Sequence, residues 1–312
     1  MDKALVIGYG SIGARHARIL SEIGLEVSVV SRRPADAPRF HPDLPAAFSS
    51  RVFDYVVVAN ETSAHAATLQ ALEMLGYKGP VLIEKPLADS DSYPMLAKER
   101  PYFIGYNLRF TPVLAALQSA LTGHRVLSAE ICCGSWLPDW RPHRDYQTTS
   151  SALLASGGGA LNDLSHEIDY ALWLLGPWRR LTAIGGRVSS LEIETDDLQM
   201  ILLETENCPA LSLNLNYLDR TPRRCAVINT DKTTFYADLE TGTLRSGPEV
   251  ILQAMPPVDE TYRLQHRAIL DGTTGMACDY HHGLLVVETM AAVRRAAAES
   301  SWLYRESVRG IA

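Results

Sequence analysis

The stretch ALVIGYGSIGARHARILSEIG, residues 4–24, joins a short apolar run to a glycine-rich turn and then to apolar residues at helical spacing. The apolar run is typical of a buried strand, and the spacing after the turn predicts a helix that ends at Gly24. The turn carries the pattern Gly8-x-Gly10-x-x-Gly13, which is weak evidence in isolation. Between a strand and a helix, however, this pattern is the fingerprint of a dinucleotide site.

Each glycine of the pattern has a physical role. Gly8 permits the tight turn, Gly10 lets the backbone approach a pyrophosphate, and Gly13 allows the helix and the strand to pack closely. The start of the helix, at Ser11 and Ile12, offers free N–H groups and the positive end of the helix dipole to the phosphates. A glycine turn without a ligand is the less favoured alternative in this context.

Strands and helices alternate along the first part of the chain. Strands separated by helices of this length indicate βαβ units and a parallel, doubly wound sheet. We therefore expect a dinucleotide-binding domain over residues 1–121. The further predicted strands cover residues 25–33, 54–60, 80–85 and 102–107, and the predicted helix before the fourth strand covers residues 63–75.

The alternation ends near residue 122. Apolar runs between residues 125 and 240 predict consecutive strands, several with period-two patterning. Two helices close the chain. We therefore expect a second domain over residues 122–312.

Bulk properties exclude several classes of function. The formal net charge of −7 argues against a nucleic-acid-binding face, which would be basic. No run of about eighteen apolar residues predicts a membrane span, and the first residues lack the pattern of a signal peptide. The five cysteines form no CxxC pair and are typical of reduced thiols. We expect a cytoplasmic protein.

The end of the second predicted strand bears on the choice of dinucleotide. NAD sites usually place an Asp or Glu about twenty residues beyond the glycines, where it holds the ribose hydroxyls. Here the strand ends in Ser31, Arg32 and Arg33, whose hydroxyl and guanidinium groups suit the 2′-phosphate of NADP. A solvated basic turn is the alternative interpretation. We expect NADP as the preferred cofactor, with NAD as the alternative.

The stretch VLIEKPL, residues 81–87, begins as a buried strand and then turns to the charged residues Glu84 and Lys85, followed by Pro86. In open α/β sheets, ligands bind in the crevice at the carboxyl ends of the strands. Lys85 is predicted at such an end. A surface lysine paired with Glu84 is the alternative interpretation.

Four motifs in this order and spacing resemble the Gfo/Idh/MocA family of sugar and inositol oxidoreductases. The resemblance implies an α/β fold with an N-terminal Rossmann domain and a C-terminal α/β domain built on a large, mostly antiparallel sheet. It also implies a nicotinamide cofactor, a hydride transferred to or from a carbinol carbon of a sugar, and a homodimer or homotetramer formed through the C-terminal sheet. The motifs are GYGSIGARH at 8–16, EKP at 84–86, GYNLRF at 105–110 and GGGALNDLSHEIDYALWLLG at 157–176.

In this family the lysine of the EKP motif hydrogen-bonds the reacting hydroxyl or carbonyl and helps to move its proton. The resemblance therefore implies that Lys85 is catalytic, and it places Glu84 and Lys85 beside the cofactor. A positioned lysine of this kind suits general acid–base catalysis.

The second constellation lies in the segment after the glycines at 157–159, where the apolar spacing predicts one continuous helix. Asp163 and His166 are three residues apart, and Asn162 and His166 are four apart, so all three are expected on one face. In the family, an acid and a histidine of this helix point at the substrate, with the acid often four residues before the histidine. Asn162 holds that place here, so Asp163 and His166 are the catalytic candidates and Asn162 a substrate contact. The alternatives are a helix-surface contact and a metal pair, but no further ligand cluster supports a metal.

Further candidates lie at the ends of predicted strands. Those assigned to the cofactor are Asn60, Thr62, His65 and Asn107, and those assigned to the substrate are Tyr106 and Arg109. Tyr280, His281 and His282 stay unassigned, either a substrate wall or surface.

The segment at 137–159 is a long, irregular run rich in aromatic residues and arginines. Such a loop is usually functional or disordered, and its residues suit stacking on a ring and clamping of a phosphate or carboxylate. We expect Trp140, Arg141, Arg144 and Tyr146 to contact the substrate. The loop resembles one in family members of surface-sugar pathways, and this resemblance implies a nucleotide-linked or acidic sugar. A solvated loop is the alternative.

Two other functions fit the resemblance. Some family members are glycosidases that use a tightly held NAD for transient oxidation, and no residue of this chain argues against that chemistry. A non-catalytic dinucleotide-binding regulator is the third possibility, although Lys85 and His166 argue against it because a sensor needs no proton-transfer group.

Overall fold

The computed structural model describes residues 2–32, 37, 39–88 and 100–305. The chain divides into two units. Unit 1 comprises residues 1–110 and 257–284, and unit 2 comprises residues 111–256 and 285–312.

The described residues form sixteen strands and eight α-helices. The strands are β1 (Lys3–Ile7), β2 (Glu26–Val30), β3 (Phe40–His41), β4 (Tyr55–Val58), β5 (Val81–Ile83), β6 (Tyr102–Ile104), β7 (Val126–Gly134), β8 (Trp178–Gly186), β9 (Leu198–Thr205), β10 (Leu211–Asn216), β11 (Arg223–Thr230), β12 (Thr234–Asp238), β13 (Thr243–Ser246), β14 (Glu249–Gln253), β15 (Cys278–Asp279) and β16 (Leu303–Tyr304). The α-helices are α1 (Ser11–Glu22), α2 (Leu44–Ser50), α3 (His65–Met74), α4 (Pro112–Ala120), α5 (Ala160–Asp163), α6 (Ser165–Leu175), α7 (Glu260–Leu270) and α8 (Tyr280–Glu299). None of these helices is long and apolar enough to cross a bilayer.

The unit boundaries differ from the predicted division at residue 121, because the segment 257–284 belongs to unit 1. Strand β15 in this segment pairs antiparallel with β6. The side chain of Gln265 on α7 donates to the backbone oxygen of Ile104, at 3.2 Å. These contacts join segments that lie far apart in the sequence, so the local alternation of strands and helices could not indicate them.

Unit 1 is built on a seven-stranded sheet with the order β3-β2-β1-β4-β5-β6-β15. All neighbours are parallel except β15 and β6. Strands β1, β4 and β5 are almost entirely buried apolar runs, as expected for parallel strands covered on both faces. The strand order reverses between β1 and β4, which is the switch point where doubly wound sheets bind ligands. The predicted doubly wound parallel sheet is confirmed.

The register of this sheet brings the carboxyl ends of its strands to one edge. Ile7 of β1 is paired with Val58 of β4, and Val58 is paired with Ile83 of β5. The glycine turn after β1 and the Glu84–Lys85 turn after β5 therefore leave the sheet at the same edge. The backbone amides just beyond the strands continue the ladder, from Gly8 to Val30, from Ala59 to Ile7, from Glu84 to Val58 and from Gly105 to Ile83.

Unit 2 contains a nine-stranded sheet with the order β14-β13-β12-β11-β7-β10-β9-β8-β16. Its neighbouring strands are antiparallel except for β7 and β10. Helix α6 packs on β7 and β10, and helix α4 packs on β12 and β13. The predicted large, mostly antiparallel sheet is confirmed.

One face of the unit 2 sheet exposes apolar side chains. Exposure alternates along β9, so that Met200 and Leu202 are about half exposed while their neighbours are buried. The register places Ile184, which is 77% exposed, beside Met200. Tyr236 on β12 is also exposed. We call Ile184, Met200, Leu202 and Tyr236 the apolar strip.

Candidate active site

The glycine turn of unit 1 is shaped by close packing around two of its three glycines. Gly8 has a φ of +93°, and a Cβ there would lie 2.6 Å from the backbone oxygen of Ala59. A Cβ on Gly13 would lie 2.0 Å from the backbone oxygen of Gly8. A Cβ on Gly10, in contrast, would meet no atom within 4 Å. Gly8 and Gly13 are therefore needed for packing, and Gly10 leaves open space in which a pyrophosphate fits.

The start of α1 completes an anion site at this turn. Gly10 is the N-cap residue, and no side chain caps the helix. The first helical hydrogen bond runs from Ala14 to Gly10, so the N–H groups of Ser11 and Ile12 precede the helical ladder. Uncapped amides at the positive end of a helix dipole bind phosphate groups. The residues present therefore fit the diphosphate of a dinucleotide.

The end of β2 carries Ser31 and Arg32, while Arg33 lies outside the described residues. The guanidinium of Arg32 forms an ion pair with the carboxylate of Glu61, and both side chains are largely exposed. An exposed pair of this kind contributes little to stability. Sequence reasoning missed Glu61, because the acid of an NAD site is expected at the end of β2, whereas Glu61 follows β4.

The turn after β4 contains Asn60, Thr62 and His65. Asn60 donates from its side-chain nitrogen to Thr68 Oγ1 at 2.8 Å, while its side-chain oxygen is buried without a partner among the described residues. Thr62 is partly exposed and begins a 3₁₀ turn.

His65 is buried, and its pKa is lowered by that burial. Its Nε2 lies 3.3 Å from the backbone oxygen of Asn60, and its Nδ1 lies 3.2 Å from that of Leu87. His65 therefore connects the turn after β4 to the turn that follows Lys85. Its predicted contact with a cofactor stays a prediction.

Lys85 is the partly exposed member of an otherwise buried turn. Glu84 before it and Pro86 and Leu87 after it are buried, and the Lys85–Pro86 peptide bond is cis. The backbone amide of Lys85 donates to Glu84 Oε2 at 3.3 Å. Glu84 Oε1 lies 2.8 Å from Nε2 of His16, so its carboxylate faces the interior of unit 1. Lys85 thus has its backbone fixed and its side chain partly accessible at the edge where the glycine turn lies.

Tyr106, Asn107 and Arg109 follow β6 at the same edge, and all three are buried. Asn107 donates from its side-chain nitrogen to Thr261 Oγ1 at 2.7 Å. This bond ties the 3₁₀ turn Asn107–Phe110 to α7 within unit 1. Roles for these residues in binding a cofactor or a substrate stay predictions.

In unit 2, the predicted single helix is two helices. Helix α5 ends at Asp163, Leu164 has φ −98° and ψ 26°, and α6 begins at Ser165. Asp163 and His166 therefore lie on separate helices, and the spacing argument for a shared helix face does not apply across this break. Sequence periodicity could not indicate the break, because the apolar spacing continues through Leu164.

His166 is the partly exposed residue near the start of α6, where its neighbours are buried. Next to it, Glu167 is fully buried and its Oε1 accepts from Arg224 Nε at 3.0 Å. This buried bond attaches the start of α6 to β11. The anchored helix start leaves His166 partly exposed, although its Nδ1 is buried.

Asp163 accepts a hydrogen bond from the hydroxyl of Tyr217, with 2.6 Å between Oδ2 and the hydroxyl oxygen. Tyr217 is buried, which raises its pKa, and the Asp163 charge raises it further. The ring of Tyr217 packs edge-on against Trp140, with centroids 5.1 Å apart. Tyr217 is thus a site residue that sequence reasoning missed, since nothing in its local pattern distinguishes it from a core tyrosine.

The nitrogen and the oxygen of the Asn162 side-chain amide both have hydrogen-bond partners. Its nitrogen lies within hydrogen-bonding distance of the backbone oxygens of Gly157 and Gly158, and its oxygen accepts from Arg294 at 2.5 Å. These bonds fix the glycine segment before α5. Contact of Asn162 with a substrate stays a prediction.

The loop at 137–159 is folded into short 3₁₀ turns. Trp140 donates from its indole nitrogen to Ser135 Oγ at 2.7 Å, and the hydroxyl of Tyr146 accepts from the backbone of Glu192 at 3.3 Å. Arg141 and Arg144 are exposed. The aromatic residues therefore hold the loop, while the two arginines are accessible to an anionic group.

No group of three His, Cys, Asp or Glu side chains in the described part of the chain could hold a metal ion. The five cysteines are free thiols.

Known proteins resemble this chain in the sequence of part of unit 2 and in the fold of nearly the whole chain. The profile of the GFO/IDH/MocA C-terminal domain matches residues 124–236. No curated protein matches the sequence.

Three solved structures illustrate the similarity of the fold. GenD2 from gentamicin A biosynthesis, in complex with NAD, is 22% identical with a TM-score of 0.77, and the match covers 97% of this chain and 96% of that chain. UDP-N-acetylglucosamine 3-dehydrogenase GnnA from Acidithiobacillus ferrooxidans is 21% identical with a TM-score of 0.77, covering 95% and 98%. Levoglucosan dehydrogenase in complex with NADH is 17% identical with a TM-score of 0.79, covering 97% and 98%. The match over residues 124–236 confirms the predicted resemblance to the Gfo/Idh/MocA family, and the solved structures show that the fold is shared.

Proposed function

We propose that this chain is an NAD(P)-dependent oxidoreductase that transfers a hydride to or from a carbinol carbon of a sugar or sugar derivative. The observation that carries the proposal is the shared edge of the unit 1 sheet. There the open glycine turn at Gly10 and the partly exposed Lys85 both follow parallel strands in register. The similar structures support it, since two are sugar dehydrogenases and two were solved with NAD or NADH.

In this proposal the chain's residues divide the work. The amides at Ser11 and Ile12 hold the diphosphate of the cofactor, and the bound nicotinamide supplies or accepts the hydride. The amine of Lys85 hydrogen-bonds the reacting oxygen and moves its proton. His166 of unit 2 is proposed as the second proton-transfer group, with Asp163 as an acid that contacts a sugar hydroxyl.

Net turnover tests the proposal. The purified protein is incubated with NAD⁺ or NADP⁺ and a panel of free sugars, sugar acids and nucleotide sugars, and formation of reduced cofactor is measured. Mass spectrometry of the protein as purified identifies any retained cofactor or sugar and orders the panel. Net reduction with one class of sugar supports the proposal, whereas glycoside hydrolysis without net reduction would favour the glycosidase alternative.

For the substrate, we propose a nucleotide-linked or acidic sugar. The exposed guanidinium groups of Arg141 and Arg144 could clamp a phosphate or carboxylate. In the same unit the guanidinium of Arg220 lies 3.4 Å from the centroid of the Trp136 ring, so a cation and an aromatic face already pair beside this loop. These features support an anionic substrate over a neutral one.

For the cofactor, we propose a preference for NADP. Arg32 follows β2 and has a largely exposed side chain that could leave Glu61 for a 2′-phosphate. Arg32→Ala should weaken binding of NADPH about tenfold and change binding of NADH little, because only the 2′-phosphate needs the guanidinium. Glu61→Gln should instead strengthen binding of NADPH relative to NADH, because it releases the guanidinium of Arg32. Fluorescence titration with both cofactors measures the effects.

The control for this pair is Arg39→Ala, which removes another ion-paired arginine of unit 1, one that bonds Glu26 instead. It should alter neither affinity. Tighter binding of NADH than of NADPH by the parent protein would contradict the proposed preference.

We also propose that the protein is a homodimer or homotetramer assembled through the apolar strip, and that it is cytoplasmic. Four exposed apolar side chains on one sheet face support a buried interface there. Leu202→Glu places a charge within the strip and should lower the mass measured by light scattering to that of a smaller assembly. Val258→Glu, at an exposed apolar residue of unit 1, should leave the mass unchanged. A monomeric parent protein would refute the proposed assembly.

A further inference from the structure

Four buried polar side chains of unit 1 form a continuous row, which we call the Glu84 row: Glu84, His16, His266 and Tyr55. His16 Nε2 lies 2.8 Å from Glu84 Oε1, and His16 Nδ1 lies 2.8 Å from His266 Nε2. The remaining nitrogen of His266, Nδ1, lies 3.0 Å from the hydroxyl of Tyr55. His16, His266 and Tyr55 are fully buried, and Glu84 is 9% exposed. Buried polar groups in such a row need a defined arrangement of donors and acceptors.

The hydrogens of the row can be placed in one consistent direction. A neutral imidazole has one N–H donor and one bare nitrogen, and an ionised carboxylate can only accept. With both imidazoles neutral, His16 donates from Nε2 to Glu84 and accepts at Nδ1 from Nε2–H of His266. His266 then accepts at Nδ1 from the hydroxyl of Tyr55. Each link contains one hydrogen, and the row carries a single negative charge at Glu84.

The environment of the far end keeps both of its groups uncharged. Burial lowers the pKa of His266 well below its usual value, so His266 is neutral. Burial raises the pKa of Tyr55 well above its usual value, so its hydroxyl keeps its proton. Tyr55 lies on β4 inside the sheet, and no further hydrogen bond continues from its hydroxyl among the described residues. The row therefore has no exit to water at Tyr55, so it holds a proton arrangement and does not conduct protons away.

The other end of the row meets the turn that carries Lys85. Glu84 uses Oε1 for His16 and Oε2 for the backbone amide of Lys85. The carboxylate is also confined by Gly105, where a Cβ would lie only 2.8 Å from Glu84 Oε1. The position of the carboxylate is thus set from the row, from the turn and from the neighbouring strand end.

We propose that His16, His266 and Tyr55 are positioning residues, which hold the ionised Glu84 carboxylate against the Lys85 amide and so aim the Lys85 side chain. The proposal rests on the proposed function only in giving Lys85 a catalytic role. The row itself is a property of unit 1 and can be tested without any turnover.

The first test reads the tautomers directly. In protein labelled with ¹⁵N-histidine, the signals of His16 and His266 are assigned from the variants His16→Asn and His266→Gln. Both rings should be neutral and protonated at Nε2, with Nδ1 unprotonated. An Nδ1-protonated His266 at neutral pH would mean that the row runs in the opposite direction, and it would overturn the proposal.

The second test separates positioning from stability. Tyr55→Phe removes the last donor of the row and should lower kcat about tenfold, while the cofactor dissociation constant changes by less than about twofold. His266→Gln retains an amide donor and an amide acceptor, so it should keep more of the parent's kcat than His266→Leu does. Thermal unfolding of each variant shows whether a loss of kcat follows from a loss of fold.

Tyr77→Phe is the matched control, because it removes a phenol hydroxyl that donates to the Pro80 backbone in the same unit, at 3.1 Å. It should leave kcat within about twofold of the parent. An unchanged kcat in Tyr55→Phe would overturn the positioning role. If the parent shows no turnover with any sugar, the proposed function fails. The arrangement of hydrogens in the row is then tested by the tautomers of His16 and His266 alone.

Discussion

Lys85→Ala is expected to lower kcat by at least about a hundredfold, which is the scale of a lost general acid–base group. The affinity for the nicotinamide cofactor should change little, because the glycine turn and the start of α1 hold the diphosphate without using Lys85. The physical reason is the placement of a partly exposed lysine on a fixed backbone at the carboxyl edge of the parallel sheet. Steady-state kinetics with the best sugar from the panel and a cofactor titration measure the two quantities.

Lys78→Ala is the control, since Lys78 is an exposed lysine of unit 1 near the opposite ends of the strands, just before β5. It should leave kcat unchanged. Lys85→Arg keeps the positive charge but lacks an amine that can readily give up a proton. Its kcat should therefore be close to that of Lys85→Ala. A kcat near that of the parent in Lys85→Ala would remove Lys85 from the mechanism.

The parallel sheet of unit 1 was predictable because its strands are local features. Each is a short apolar run followed by residues typical of a turn, and buried parallel strands are apolar along their whole length. The glycine turn was predictable for the same reason, since Gly8, Gly10 and Gly13 act within six residues of one another. The edge that the structure shows at Gly8, Glu84 and Gly105 follows from the strand order alone.

The parts that could not be predicted depend on contacts between distant segments. The return of residues 257–284 to unit 1 requires β15 to pair with β6, and β15 has only two residues. The Glu84 row joins His266 on α7 to His16 on α1, and neither histidine belongs to a spacing pattern with the other. Sequence alone also could not show that Glu61 lies beside Arg32.

The predicted helix at 160–175 shows how a correct periodicity can mislead. Apolar residues recur at helical spacing through the whole segment, yet the backbone leaves the helix at Leu164. Hydrogen bonds from outside the segment hold α5. The backbone amide of Leu161 donates to Asp196 Oδ2 at 3.0 Å, and Asp163 accepts from Tyr217. Because these partners come from elsewhere in unit 2, the spacing of apolar residues contained no information about the break.

His166→Ala is expected to lower kcat/KM by about a hundredfold or more, on the scale of a lost acid–base group. In the structure, His166 is the partly exposed residue at the anchored start of α6, while the residues beside it are buried. The variant should also remove the component of the pH profile of kcat/KM that a histidine contributes. Kinetics over a range of pH measure both effects, and a thermal unfolding midpoint close to that of the parent shows that the fold is retained.

Asp163→Asn is the matched comparison, and it should lower kcat/KM less than His166→Ala does. Its side-chain oxygen can still accept from the hydroxyl of Tyr217, so that bond is retained and only the charge is lost. Tyr217→Phe should lower kcat/KM more than Asp163→Asn does, because it leaves the Asp163 carboxylate without this donor. The expected order of severity therefore places His166→Ala above Asp163→Asn. A larger loss of kcat/KM in Asp163→Asn would reverse the assignment and make Asp163, not His166, the proton-transfer group of unit 2.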